Sequence, residues 1–280
     1  VSERAGFWAM LPTAAVLVAG FLVPVLFIVW TSLMPARTFA LDAPPGLANY
    51  VTIVVDGYWR PLAWSAGLAL AATVICLLTA WPIAKALVAH GGRFATIVSV
   101  LVAVPVFIAE AVRLFGAFLF LMPKGGILAG TLNALFGLQV GSFLNTPFAI
   151  LVGLVYIYFP FALFPMVLGL SQVPRDQIEA ARDLGASGWQ VVRNVEIPLA
   201  APGILIGALL VFVLALGATQ ESTILGGQAV TVVGQSIEQR FNYAQDWPLG
   251  SALATVLCAI TAVVVLPLLR RLEIDRLFGR

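Results

Sequence analysis

Residues 171–196 read SQVPRDQIEAARDLGASGWQVVRNVE, a charged island in an apolar chain. It carries seven charged residues, Arg175, Asp176, Glu179, Arg182, Asp183, Arg193 and Glu196, with a long apolar run on either side. A segment this polar cannot lie in hydrocarbon, so it must stand in water between two membrane spans. A few loop residues would suffice to reverse the chain there. The island instead keeps helix-forming sequence, which points to a surface that docks onto something.

Outward from the island the chain turns oily. Hydrophobic residues make up 61% of it and charged residues 10%, against roughly a quarter charged in globular proteins. Apolar runs recur at about the 20-residue length that a helix needs to cross the bilayer. Lipid leaves backbone groups no partner outside the segment, so the reading is an all-α polytopic membrane protein, one transmembrane domain over residues 1–280. Six spans are expected, at residues 7–34, 61–88, 94–122, 147–170, 199–220 and 248–269, with the island at 171–196 between the fourth and fifth. The first run is too long for a signal-peptide core and no small-residue cleavage pattern follows it, so it reads as a retained span. The chain begins at Val1, which leaves open whether residues precede it. Pro12, Pro24, Pro82, Pro105, Pro160, Pro165 and Pro267 lie in or at the ends of these runs, and some are expected to mark kinks.

Lys and Arg orient the chain. With the N-terminus inside, ten fall in inner segments (Arg4, Lys85, Arg93, Arg175, Arg182, Arg193, Arg270, Arg271, Arg276, Arg280) and four in outer loops (Arg37, Arg60, Lys124, Arg240). Both termini and the island are therefore expected in the cytoplasm. Of the outer loops, residues 35–60 contain Pro44, Pro45 and Gly46 and read as irregular. Residues 123–146 could hold a short interfacial helix, and residues 221–247 follow the Gly226–Gly227 turn with a partly amphipathic stretch.

Within the island, Pro174 suits a helix start, Asp176 and Glu179 suit its N-terminal half, and Gly185 stands where a C-terminal cap belongs. Ser187 and Gln190 have capping-box spacing, so a second short helix is expected from there to a stop before Pro198. Ala180 and Ala181 are small enough to let another surface approach the backbone. On residues alone, a solvated helical loop remains the alternative.

Several chemistries are missing. Lys85 and Lys124 are the only lysines and neither precedes Ser or Thr, so the phosphate loop of an ATPase is absent. Cys76 and Cys258 lie in apolar runs, without metal-site or redox spacing. His90 sits at a glycine turn, no nucleophile triad is present, and neither an enzyme nor a metal centre is expected.

Ionisable groups inside the spans are the remaining candidates. Glu110 and Arg113 are three residues apart on the third run and could pair on one helix face. Each alone would cost about 2.5–3.5 kcal/mol near the bilayer centre, so both are expected to face protein or a water-filled path. Gln220 and Glu221 close the fifth run. Glu110 and Glu221, with Tyr156, Tyr158 or Trp247, could supply charge and cation–π contact to a cationic solute, whereas an anionic or zwitterionic one would favour Arg113.

EAARDLGAS at 179–187, followed by IPLAAPGI at 197–204, resembles the EAA motif of binding-protein-dependent ABC importer permeases. Glu179, Ala180, Ala181 and Gly185 fall on the motif, with Arg182 and Asp183 inside it. Ile197 and Pro198 fall near its end, where the Leu-Pro of the family stands as Pro198-Leu199. VYIYFPFALFPM (155–166), ILGG (224–227) and FNYAQDWPLGSAL (241–253) are similar to the spermidine/putrescine-type permeases in particular, and the resemblance covers the chain from about Phe94. The family's arginine has its counterpart in Arg113. Its acidic residue and proline around the glycine turn are replaced here by Ala218 and Ser222, with the acid at Glu221.

The resemblance implies the type I ABC importer permease fold, with the island as a cytoplasmic coupling helix. It further implies a second permease, identical or different, two ABC ATPase subunits and an extracytoplasmic solute-binding protein as partners, membrane lipid around the spans, and no nucleic acid. No cofactor is expected in this chain, ATP and Mg being bound by the partner ATPase. The expected solute is a polyamine, with another small organic cation, an amino-phosphonate or ferric ion behind it. The reading of another class is a self-contained secondary transporter using Glu110 and Arg113 as an ion relay. The lack of an internal repeat between the halves weakens it.

Overall fold

A computed structural model describes residues 10, 12–37, 44–122, 126–137, 141–227 and 229–271; every described element is helical. The chain divides into two compact units, Val1–Leu62 with Val233–Ala262 and Ala63–Val232 with Val263–Arg280.

In the first unit, α1 (Pro12–Ser32) is apolar and spans a bilayer's length, with a π-helical turn at Val18–Leu22. Its flank is exposed except near its end, a surface suited to hydrocarbon. That end is tied down by polar groups. Asn49 Nδ2 donates to the Ser32 and Met34 carbonyls at 2.8 and 2.7 Å, satisfying orphan groups of the last turn. Asn49 and Tyr50, whose hydroxyl lies 2.7 Å from Ser32 Oγ, belong to α2 (Ala48–Val55). Residues 35–60 are thus not wholly irregular: a helix forms there because Asn49 and Ile53 have buried partners. The core joins Ile53 and Leu62 to Val233, Leu249, Ala252 and Leu253. Of these, Leu62 lies on α3 (Trp59–His90), which continues into the second unit.

In the second unit, the expected third span is not one rod. α4 (Gly92–Phe107, its last turn 3₁₀) and α5 (Glu110–Leu121) meet at 109°. Pro105 has no N–H for the helical ladder and sits in the 3₁₀ turn, and Ile108 then adopts extended backbone. Glu110 consequently opens a new helix, where a negative charge meets the positive end of the helix dipole. α6 (Ile127–Phe136) follows as the short helix expected in residues 123–146.

α7 (Pro147–Ser171) packs along α9 (Gly188–Leu216). Glycines allow their backbones to touch: a Cβ on Gly203 would strike the Pro165 carbonyl and lie 2.8 Å from the Gly169 Cα, and one on Gly207 would lie 3.1 Å from the Ala162 carbonyl. Close small-residue contact of this kind is how membrane helices gain packing without a hydrophobic drive. Between them lies α8 (Arg175–Asp183).

The second island helix does not stop before Pro198. It is the start of α9, running from Gly188 to Leu216. The residues before the proline form a π turn, Val192–Glu196, closed by the Ile197 N–H on the Val192 carbonyl. The wider turn leaves room for a residue that cannot make its own helical bond. At its far end α9 stops at Leu216, short of the expected 220, and Gln220 and Glu221 begin a separate helix, α10 (Gln220–Ile224). Val233–Asn242 then forms α11, the amphipathic stretch expected in the last outer loop, and Trp247–Arg271 forms α12. Asp246 caps α12, its Oδ1 accepting from the Leu249 N–H at 3.4 Å and the Arg37 N–H at 3.2 Å.

Candidate functional site

Two polar regions of the second unit are the candidates for functional chemistry. The first is the island. α8 ends in a Schellman motif: the Gly185 N–H donates to Arg182 O at 2.8 Å and the Ala186 N–H to Ala181 O at 3.0 Å. The motif needs a left-handed residue, and Gly185 supplies it at φ +81°. α9 opens on a complete capping box, the Ser187 N–H donating to Gln190 Oε1 at 2.7 Å and the Gln190 N–H to Ser187 Oγ at 3.4 Å. Glu179, Ala180, Arg182 and Asp183 are exposed and Ala181 half-exposed. Beside them Leu184 is 90% exposed and Trp189 68%. Large apolar side chains thrust into water from a polar loop mark a contact surface.

Beneath α8 a cleft of ≈ 560 Å³ opens among Lys85, Leu170, Arg175, Ile178, Arg182 and Glu196. Lys85 and Glu196 form an ion pair there, which the sequence reading missed. The signal was present: each is a lone charge where an apolar run meets an inner segment, on the same expected side of the membrane.

The second region is enclosed. α5, α7 and α10 converge, with Gly153 of α7 at the meeting point. A Cβ there would lie 2.5 Å from Leu225 Cδ1, 3.3 Å from Glu221 Cγ and 3.5 Å from Leu114 Cδ2. Glu221 is 1% exposed, and both its carboxylate oxygens lack a hydrogen-bond partner. Arg113 Nε is likewise buried without one. Tyr158, 6% exposed, lies beside the Glu221 carboxyl short of hydrogen-bond geometry, and the charges of Glu110 and Arg113 act on both groups.

α10 is held in place by turn chemistry. Ser222 Oγ donates to the Val230 carbonyl at 2.8 Å, and the Asn145 N–H to the Leu225 carbonyl at 2.9 Å. Gly226 lies so near Ile150 that a Cβ would come within 2.7 Å of its Cδ1.

The expected site residues separate accordingly. Glu110, Arg113 and Glu221 come together, but Glu110 and Arg113 do not pair: among the described residues the ion pair is Lys85–Glu196. Tyr156 is exposed, and Tyr158 takes its place, since side chains two residues apart leave a helix on nearly opposite faces. Gln220 is exposed beside buried Glu221. Trp247 lies in the first unit, its ring edge-on to Phe241 with centroids 5.7 Å apart.

Comparison with known proteins fits this geometry. The chain is 31% identical over 229 residues to the spermidine/putrescine transport system permease protein PotB of Escherichia coli (strain K12), covering 79% of this chain and 80% of that one. It is 27% identical over 274 residues to the trehalose transport system permease protein SugA of Mycobacterium tuberculosis (strain ATCC 25618 / H37Rv), covering 94% and 86%. Its fold matches a chain in the crystal structure of a bacterial alginate ABC transporter in complex with alginate pentasaccharide-bound periplasmic protein, at TM-score 0.75 and 17% identity over 94% of this chain and 92% of that one. Residues 88–278 match the family described as binding-protein-dependent transport system inner membrane component. With its polar island and apolar helices, the chain belongs to that family and is the inner-membrane permease of an ABC importer.

Proposed function

We propose that this permease carries a polyamine, forming half of the translocation pathway with a second permease. On this reading α8 seats on one of two cytoplasmic ATPase subunits through Glu179, Ala180, Ala181, Arg182, Asp183 and Gly185, and a solute-binding protein delivers cargo outside. ATP-driven closure of the ATPases moves the island and switches the spans between outward- and inward-facing states. The Lys and Arg distribution supports a cytoplasmic position for both termini and α8.

The observation that carries the solute class is the Glu221 carboxylate, buried with both oxygens free of donors beside Tyr158 and near Glu110. An uncompensated buried carboxylate is costly, and an alkylammonium group from solute would supply the missing donors. Relatedness to polyamine permeases over 79% of the chain supports the same reading. Arg113, with Nε buried and unpartnered, favours a second one, an anionic or zwitterionic solute such as an amino-phosphonate.

Uptake into proteoliposomes holding the assembled importer tests both. Saturable uptake of labelled spermidine or putrescine, lost in Glu221→Gln and kept in Arg113→Gln, is expected. Uptake of an amino-phosphonate or trehalose, with polyamines neither carried nor competing, contradicts the reading.

A further inference from the structure

Lys85 and Glu196 hold one another across two long helices. Lys85 Nζ donates to both Glu196 Oε1 and Oε2 at 2.8 Å. The two halves are unequal: the Glu196 side chain is 6% exposed and that of Lys85 43%. The acid is therefore fixed in the protein, while the cation sits on a flexible stem that can leave for water.

Glu196 also stands at a special point of α9. It ends the π turn Val192–Glu196, an irregularity often found at functional positions. Below that turn α9 begins in the capping box that follows Gly185, and above it the same helix packs through Gly203 and Gly207 against α7. Motion of the island travels along one continuous helix. It must carry α3 with it or break the Lys85–Glu196 pair.

The cleft leaves room for that motion. Its ≈ 560 Å³ lie between α8 and the ends of α3 and α7, and the ion pair stands in its wall. Arg175, Glu179 and Arg182 line the same cleft, and among the described residues Lys85–Glu196 is the ion pair that forms in its wall.

We infer that Lys85 and Glu196 are positioning residues for transport: the pair holds α9 against α3 in the resting importer and sets how readily the ATPases close without cargo. This rests on the coupling role proposed above for α8. A buried carboxylate would need a partner for stability alone, so the test separates holding the fold from holding the state.

The assembled importer in lipid nanodiscs is assayed for ATP hydrolysis with and without loaded binding protein, using Glu196→Gln, which removes the buried charge and leaves Lys85 on a half-exposed stem that can turn to water, and the exchanged pair Lys85→Glu with Glu196→Lys. Glu196→Gln is expected to raise hydrolysis without binding protein about fivefold or more, the low end of typical coupling between sites, with unchanged importer yield and melting temperature. The exchanged pair is expected to return hydrolysis toward the wild-type level. Wild-type hydrolysis in Glu196→Gln overturns the inference. So does an effect that tracks loss of yield and is not reversed by the exchange. Failure of wild-type importer to respond to binding protein would count against the α8 reading instead, and is read from the control alone.

Discussion

Charge is handled in opposite ways by α8 and by the cluster around Glu221. On α8 and its flanks, Arg175, Asp176, Glu179, Arg182 and Asp183 all face water, and the backbone is finished by local devices: the Schellman turn at Gly185 and the Ser187–Gln190 box. Around Glu221 the carboxyl is shut away from the surface, with Glu110 and Arg113 half-buried beside it. Three helices enclose two groups of opposite sign, and neither the carboxylate nor Arg113 Nε has a partner. On the proposed function, the solvated helix with exposed Leu184 and Trp189 is the surface that meets the ATPase. On the same proposal, the buried carboxylate, with neither oxygen in a formed hydrogen bond, is the place where cargo binds.

The largest effect separating the two should come from the scaffold between them. Gly203→Leu places a side chain against the Pro165 carbonyl, where the α7 and α9 backbones touch. Overpacking of this kind costs about 1–3 kcal/mol or more. Folded protein recovered from membranes is expected to fall sharply, and both regions to fail together. Normal yield would mean that α7 and α9 are not held as one pair.

Next comes Glu221→Gln. It removes the buried charge but keeps size, so yield should hold while transport falls. Losing a charge-assisted contact of roughly 1.5–3 kcal/mol lowers flux about tenfold or more. Gly185→Ala is smaller in origin and acts on the island alone. The left-handed backbone at φ +81° penalises a Cβ by about 1 kcal/mol, although nothing lies within 4 Å to clash with it. Weaker co-purification of the ATPase, with unchanged melting of the permease, is the expected result. The smallest effect belongs to Gln220→Ala. Gln220 adjoins Glu221 in sequence but is exposed, so flux should stay within about twofold of wild type. A large loss there would move the pathway to the exposed face of α10.

The island was legible because its structure is local. The turn glycine and the Ser187–Gln190 box are written within residues 174–190 and formed as expected, while Pro174 stands at the N-cap, just before the first turn it was expected to join. The enclosed cluster was legible only in its parts. Glu110, Arg113 and Glu221 stand out as charges in apolar runs, but their meeting depends on two breaks that hydropathy does not display. Pro105 ends α4, so that Arg113 sits on a new helix at 109°, and α9 stops at Leu216, so that Glu221 turns inward on α10. Of the candidates Tyr156 and Tyr158, Tyr158 is the one buried beside Glu221, because the orientation of α7 is fixed by its contact with α9, a pairing across residues far apart in the chain. Pro198 misled in the other direction. It reads as a stop, but the π turn before it lets α9 run on.

On the proposed function, the island serves the energy source and the Glu221 cluster serves the cargo. Solute delivered per ATP hydrolysed, measured in proteoliposomes on the assembled importer, tests it most directly. With Glu221→Gln, ATP hydrolysis stimulated by loaded binding protein should persist while solute delivery collapses, and with Gly185→Val both should fall together. Stimulated hydrolysis lost in Glu221→Gln, or solute delivery and hydrolysis both intact in Gly185→Val, would contradict it.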